Sequence, residues 1–116
     1  MEARAISRYN RQSARKMRLV IDLIRGKSVG EAYAILQFSK KRAAQAIDKT
    51  LRSAVANARV KADTAGELVD VDDLFVKEAY INEGPRLKRW RAAAMGRAAP
   101  IRRPTSHVVI VVDRKE

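Results

Sequence analysis

Two strand-like runs in this chain are separated by a segment that no core can absorb. LFVKEAYIN at residues 74–82 and SHVVIVV at residues 106–112 have the β-branched, aromatic and apolar composition of strands. Between them, GPRLKRWRAAAMGRAAPIRRP at residues 84–104 holds seven positive charges (Arg86, Lys88, Arg89, Arg91, Arg97, Arg102, Arg103) and no carboxylate. A structureless loop of that length is uncommon inside a compact domain. Gly84 and Pro85 end the outgoing run, Pro100 and Pro104 interrupt the return, and Gly96 lies near the middle. A reversal there suits a residue without a Cβ. The spacing predicts a hairpin arm over residues 85–104, with limbs of about ten residues that reach roughly 30 Å. A two-stranded arm is marginal alone in water, so it needs a surface to lie against.

The charge says which surface. Six of the seven cations are arginines, whose planar guanidinium matches phosphate oxygens and also stacks on bases. Small residues (Ala92, Ala93, Ala94, Gly96, Ala98, Ala99) interleave them, which lets backbone approach a nucleic acid closely. Trp90 can stack on an unpaired base, although packing against the other limb is an equal alternative. A short tract such as KRWR also fits a nuclear-localisation signal or a solvated surface. Extended over twenty-one residues without one acid, the segment favours nucleic-acid contact. The whole chain agrees: 116 residues with 25 Lys+Arg against 13 Asp+Glu give +12 and a pI near 10.7. A polyanionic partner offsets such self-repulsion. Nucleic acid is the first candidate and an anionic membrane surface the second.

A second basic cluster opens the chain. Arg4, Arg8, Arg11, Arg15, Lys16 and Arg18 stand against Glu2 alone in the first eighteen residues. A solvated helix face accounts for Arg15 and Arg18. It accounts less well for Arg4, Arg8 and Arg11, which fall in a short predicted strand, where Ala3 and Ala5 alternate with Arg4 and Ile6, and in the turn after it. If that strand joins the sheet of the later ones, both clusters share one ligand.

Between the clusters the periodicity is helical. Met17, Val20, Ile21 and Ile24 form an apolar stripe after Ser13, a helix-capping residue, and Gly26 stands where a left-handed C-terminal residue is expected. Ser28 and Glu31 form a capping-box pattern before the stripe of Val29, Ala32, Tyr33 and Leu36. Ser39 is expected to cap the third and longest helix, whose face is Ala44, Ile47, Leu51, Ala54, Val55 and Ala58. Residues 63–73, with Gly66 and five acids, read as a surface connection. The length suits one domain, residues 1–116.

Catalysis finds little support. His107 is the only histidine, and its neighbour Ser106 would point to the opposite face of a strand. It reads as a packed or hydrogen-bonded strand residue. Asp70, Asp72 and Asp73 lack the ligand ladder of a calcium loop. No cysteine and no Gly-rich phosphate loop is present. The expectation is a protein that is not an enzyme, with no cofactor and no metal. The first residues lack a secretory apolar region, and no run approaches a membrane span, so a soluble intracellular protein is expected. A DNA-binding module built on the helix pair of residues 15–39 remains an alternative, although the second helix offers little charge.

GPRLKRWRAAAMGRAAPIRRPTSHVVIVV resembles the signature of the large-ribosomal-subunit protein twenty-two family, bacterial type. SARKMRLVIDLIRGKSVGEAYAIL, KKRAAQAIDKTLRSAVANA and VDVDDLFVKEAYINEGP resemble it in order and spacing, so the likeness covers nearly the whole chain. It implies an α+β fold, three helices packed on a small three-stranded antiparallel sheet, with a long basic β-hairpin extension. It also implies a structural constituent of the large ribosomal subunit in the cytoplasm that binds large-subunit ribosomal RNA and aids subunit assembly. Its hairpin would help line the nascent-peptide exit tunnel, near large-subunit protein four at the constriction, and changes in it would alter macrolide response. By position, Arg86, Lys88, Arg89, Trp90 and Arg91 would lie on the outgoing limb, and Arg97, Arg102 and Arg103 on the return. Ala92, Ala93, Ala94, Met95, Gly96, Arg97 and Ala98 would face the tunnel and the nascent peptide. AAAMGRA departs from the common tip, which has proline and more basic residues, and Met95 stands where a positive residue is frequent.

Overall fold

The computed structural model describes residues 2–67, 70–85, 87–92 and 98–114. Of the predicted site residues, Arg86, Ala93, Ala94, Met95, Gly96 and Arg97 lie outside the described residues. The elements run β1 (Ala3–Asn10), α1 (Ala14–Ile21), α2 (Val29–Phe38), α3 (Ala43–Thr64), a 3₁₀ turn at Val71–Asp73, β2 (Leu74–Glu83), β3 (Leu87–Ala92), β4 (Ala98–Arg103) and β5 (Ser106–Arg114). Three strands form an antiparallel sheet in the order β1-β5-β2, and β3 pairs with β4 in a separate ladder. The α+β architecture implied by the resemblance is the one observed.

The helices form where the apolar spacing places them. Met17, Val20, Ile21 and Ile24 are all fully buried. The Ser13 side chain accepts from the Lys16 N–H, and that of Ser28 from the Glu31 N–H. Gly26 has φ 78° and ends the turn after α1 in the left-handed region. Its N–H donates to the Val76 carbonyl, which ties that turn to β2. Ser39 corrects the expectation at α3: its hydroxyl accepts from the Lys41 N–H two residues on, and α3 opens at Ala43 without a side-chain cap. The local turn has won the competition for that hydroxyl.

The core lies between the helices and the inner face of the sheet. Ala3 and Ala5 of β1, Val108, Ile110 and Val112 of β5, and Val76, Ala79 and Ile81 of β2 are buried against the helical stripes. Alanines along α3 (Ala44, Ala54, Ala58) are buried too, and small side chains let the helix approach the sheet closely. Both outer edges of the sheet are partly covered by side chains reaching for carbonyls, which limits edge-to-edge pairing. On the β2 edge, Arg18 Nη2 donates to the Ile81 oxygen at 2.9 Å, and Arg25 donates through two nitrogens to that of Ala79. On the β1 edge, Asn57 Nδ2 donates to the Arg4 oxygen at 2.9 Å and Lys61 Nζ to that of Glu2 at 2.6 Å.

The ladder does not stop at the body. Glu83 pairs with Ser106, the Gly84 N–H donates to the Thr105 oxygen, and pairing resumes at Leu87 with Arg103. One extra residue on the outgoing side shifts the register across this neck. The predicted limbs therefore continue β2 and β5, through an interruption at Pro85 and Pro104. The molecule measures 67 × 28 × 16 Å with a radius of gyration of 17.6 Å, whereas a compact chain of this length has about 13 Å.

Candidate nucleic-acid interface

Pairing brings the end of β1, and with it one side of the first basic cluster, to the root of the arm. β1 lies beside β5, and its register slips between Ser7 and Asn10, where Tyr9 takes the uncommon φ of 59°. The slip turns the Tyr9 N–H onto His107 Nδ1 at 3.1 Å, and the two rings meet edge to face with centroids 5.1 Å apart. Asn10 Nδ2 donates to the carbonyl oxygens of Ser7 and Ser106. On the other side of the root, Arg15 joins Glu83, Gly84, Pro104 and Thr105 around a cleft of about 230 Å³. Gly84 is required by the close approach: a Cβ there would stand 2.5 Å from Thr105 Oγ1 and 3.1 Å from two atoms of the His107 ring. His107 is thus a hydrogen-bonded strand residue, while the Ser106 hydroxyl points inward and donates to the Met17 sulfur.

What distinguishes the cations is whether the fold already satisfies them. Arg52 pairs with Asp48, Arg114 with Glu67, and Arg25 with Asp22. Lys77 bonds Glu2 and lies 3.7 Å from Asp113. The Glu2 carboxylate holds that ammonium above the usual lysine range, so its charge is kept and locally neutralised. Arg18, predicted as an RNA contact, spends one donor on the Ile81 carbonyl and remains exposed. By contrast, the side chains of Arg4, Arg8, Arg11, Arg15 and Lys16 are not hydrogen-bonded or ion-paired to any described residue. All but Arg11, in the turn, lie on β1 or α1, and all are exposed. Lys40, Lys41, Arg42 and Lys49 are exposed and unpaired in the same sense. The run KKR was visible in the sequence, and a basic run is the signal that finds it.

In the arm, Lys88, Arg89, Trp90 and Arg91 fall on β3, and Arg102 and Arg103 on β4. The register sets Lys88 directly opposite Arg102, and Trp90 opposite Pro100. Ala92 and Ala98, the ends of the expected tip, form the last pair. Like charges directly opposite each other destabilise a ladder unless an anion lies against them. A duplex or folded RNA supplies such anions at close spacing. Among the described residues no group of acids and histidine is arranged to hold a metal ion, and no helix is long and apolar enough to cross a membrane.

Known proteins share this sequence along nearly its whole length. The family model described as "Ribosomal protein L22p/L17e" matches residues 5–113. A protein named large ribosomal subunit protein uL22 from Bifidobacterium longum is 55% identical over 116 residues, covering 100% of this chain and 98% of its own. Proteins of the same name from Halothermothrix orenii and Desulfitobacterium hafniense are 53% and 54% identical, covering 98% and 97% of their own lengths. With the match spanning strands, helices and arm alike, the chain belongs to the ribosomal protein L22p/L17e family.

Proposed function

We propose that this chain is a structural, non-catalytic constituent of the large ribosomal subunit that binds ribosomal RNA with two cooperating parts. The body docks through the uncompensated cations of β1 and α1, and the arm inserts between RNA segments whose phosphates neutralise it. The single observation that carries this reading is that the first basic cluster reaches the arm root, where Arg15 borders the neck at Gly84 and Pro104. Family membership supplies the subunit, and the relatives' names place them in the large one.

The finer expectations belong to the same reading. Binding several RNA segments at once would aid subunit assembly, because one chain then holds them near each other. An arm of this length reaches from the subunit surface toward the nascent-peptide exit tunnel, with residues 92–98 at its end and protein four as the neighbour there. The cytoplasm follows from the ribosomal partner. Sedimentation of a lysate at moderate and high salt tests the reading: the chain co-migrates with large subunits in both. A salt-sensitive association with DNA instead would overturn it.

A further inference from the structure

The β1 edge carries a regular ladder of side chains from α3, and the ladder has a missing rung. Lys61 takes the Glu2 carbonyl and Asn57 the Arg4 carbonyl. Four helical residues advance about 6 Å and two strand residues about 6.6 Å, so the two spacings stay in phase. The next rung sets Ser53 beside Ile6, and Lys49, one helical turn further on, lines the same cleft. In an antiparallel strand alternate residues turn their peptide groups to the same side, so Ile6, in phase with Glu2 and Arg4, presents its N–H and C=O to this edge. Ser53 is too short to close the gap, and its hydroxyl bonds no described residue. A cleft of about 370 Å³ opens there, lined among others by Ile6, Asn10, Gln45, Lys49 and Ser53.

We propose that this cleft receives one unpaired nucleotide of the ribosomal RNA, with the base edge on the Ile6 peptide group and the phosphate toward Lys49. The inference rests on the RNA-binding reading and extends it along the β1 edge beside α3. The volume is near the lower end of small-molecule sites, which suits a single nucleotide. An adjacent donor and acceptor are what the edge of a base complements, and unpaired bases are the ones proteins reach in folded RNA. The lining contains no carboxylate, and the Lys49 ammonium and Gln45 amide bond no described residue. A peptide strand is the poorer occupant. It needs several consecutive open rungs, whereas Asn57 and Lys61 occupy those on one side and the slip between Ser7 and Asn10 breaks the phase on the other.

The test uses the full chain and deproteinised large-subunit ribosomal RNA in a filter-binding titration over salt. Ser53→Trp fills the cleft and is expected to weaken binding about tenfold with an unchanged salt slope. Lys49→Gln is expected to lower the slope by about one. Wild-type affinity for Ser53→Trp overturns the proposal, while a wild-type chain that fails to bind at all overturns the RNA reading instead. Ultraviolet cross-linking of the unaltered chain in intact large subunits needs no variant. A nucleotide adduct on the peptide holding residues 45–53 supports the site; adducts confined to other peptides, or a protein segment cross-linked there, overturn it.

Discussion

β2 and β5 pair in the body, and their continuations β3 and β4 pair in the arm, with the same antiparallel chemistry and almost the same register. In the body, Val108, Ile110 and Val112 alternate with residues that are also largely covered, so β5 is buried on both faces for most of its length. The arm places Lys88 opposite Arg102, and among the described residues no third strand joins its ladder. Hydrogen bonds exchanged with water contribute little net stability, so a ladder is held by what its side chains bury. The body carries its own covering, and on the proposed reading the arm takes it from RNA. The contrast predicts that substitutions fall into two groups, those that melt the body and those that leave it intact while weakening the RNA complex.

The largest effect on stability is expected at the middle of β5. Ile110 is fully buried between Ala5 and Ala79 in the two neighbouring strands. Ile110→Ala should cost about 2–5 kcal/mol, because small neighbours cannot collapse into the space. Thermal denaturation of the free chain measures it. An effect below about 1 kcal/mol would mean that the sheet is not the unit that holds the body.

Next in size is the neck, where the two regimes meet. Gly84→Ala places a methyl group against Thr105 Oγ1, a short side chain that is itself buried and donates to the Pro85 carbonyl. A loss of about 1–3 kcal/mol is expected, as for overpacking elsewhere. Combining it with Thr105→Ala should recover part of the loss, which a double-mutant cycle on the denaturation midpoint would show. Strict additivity of the two changes would remove the steric explanation.

A smaller pair of effects separates two arginines three residues apart on α1. Arg18 donates to the Ile81 carbonyl at the sheet edge, whereas Arg15 bonds no described residue. Arg18→Ala should cost about 1 kcal/mol in folding. Arg15→Ala should stay within about 0.5 kcal/mol, yet lower the salt slope of RNA binding by about one. Equal effects of both on folding would show that charge, and not the carbonyl contact, matters on this helix.

Much of this division is legible in the sequence where the cause is local. The stripes of α1, α2 and α3 and the caps at Ser13 and Ser28 depend on neighbours within a few residues, and they stand where the spacing puts them. Ser39 shows the limit: its hydroxyl had two local partners to choose from, and the turn to Lys41 took it. The arm was legible because charge without acid excludes a core. The slips at Lys77 and at Ser7–Asn10 were not, since cross-strand fit sets them. The grip of Arg18, Arg25, Asn57 and Lys61 on carbonyls more than fifty residues away was equally hidden. A cation run shows in the sequence, but which cations the fold has already spent does not.

The smallest effect on stability should come from the largest change. Replacing residues 87–102 with a short turn removes the arm ladder and leaves the last body pairs, such as Glu83 with Ser106, in place. Because the inner apolar face ends with Ile81 and Val108, the excision takes no residue from the core. The shortened chain should therefore keep a single cooperative thermal transition, with a midpoint within a few degrees of the full chain. A shift of roughly 5 °C corresponds to about 1 kcal/mol at this size. The direction of any shift is informative as well. Removing the like-charge pair of Lys88 and Arg102 relieves repulsion, so a slight rise is expected at low salt, fading as salt screens the charges. In the same preparation, affinity for ribosomal RNA should fall by several orders of magnitude with a shallower salt slope, because five cations leave with the segment (Lys88, Arg89, Arg91, Arg97, Arg102). Loss of the cooperative transition would place the arm inside the folding unit and end the distinction between the two ladders.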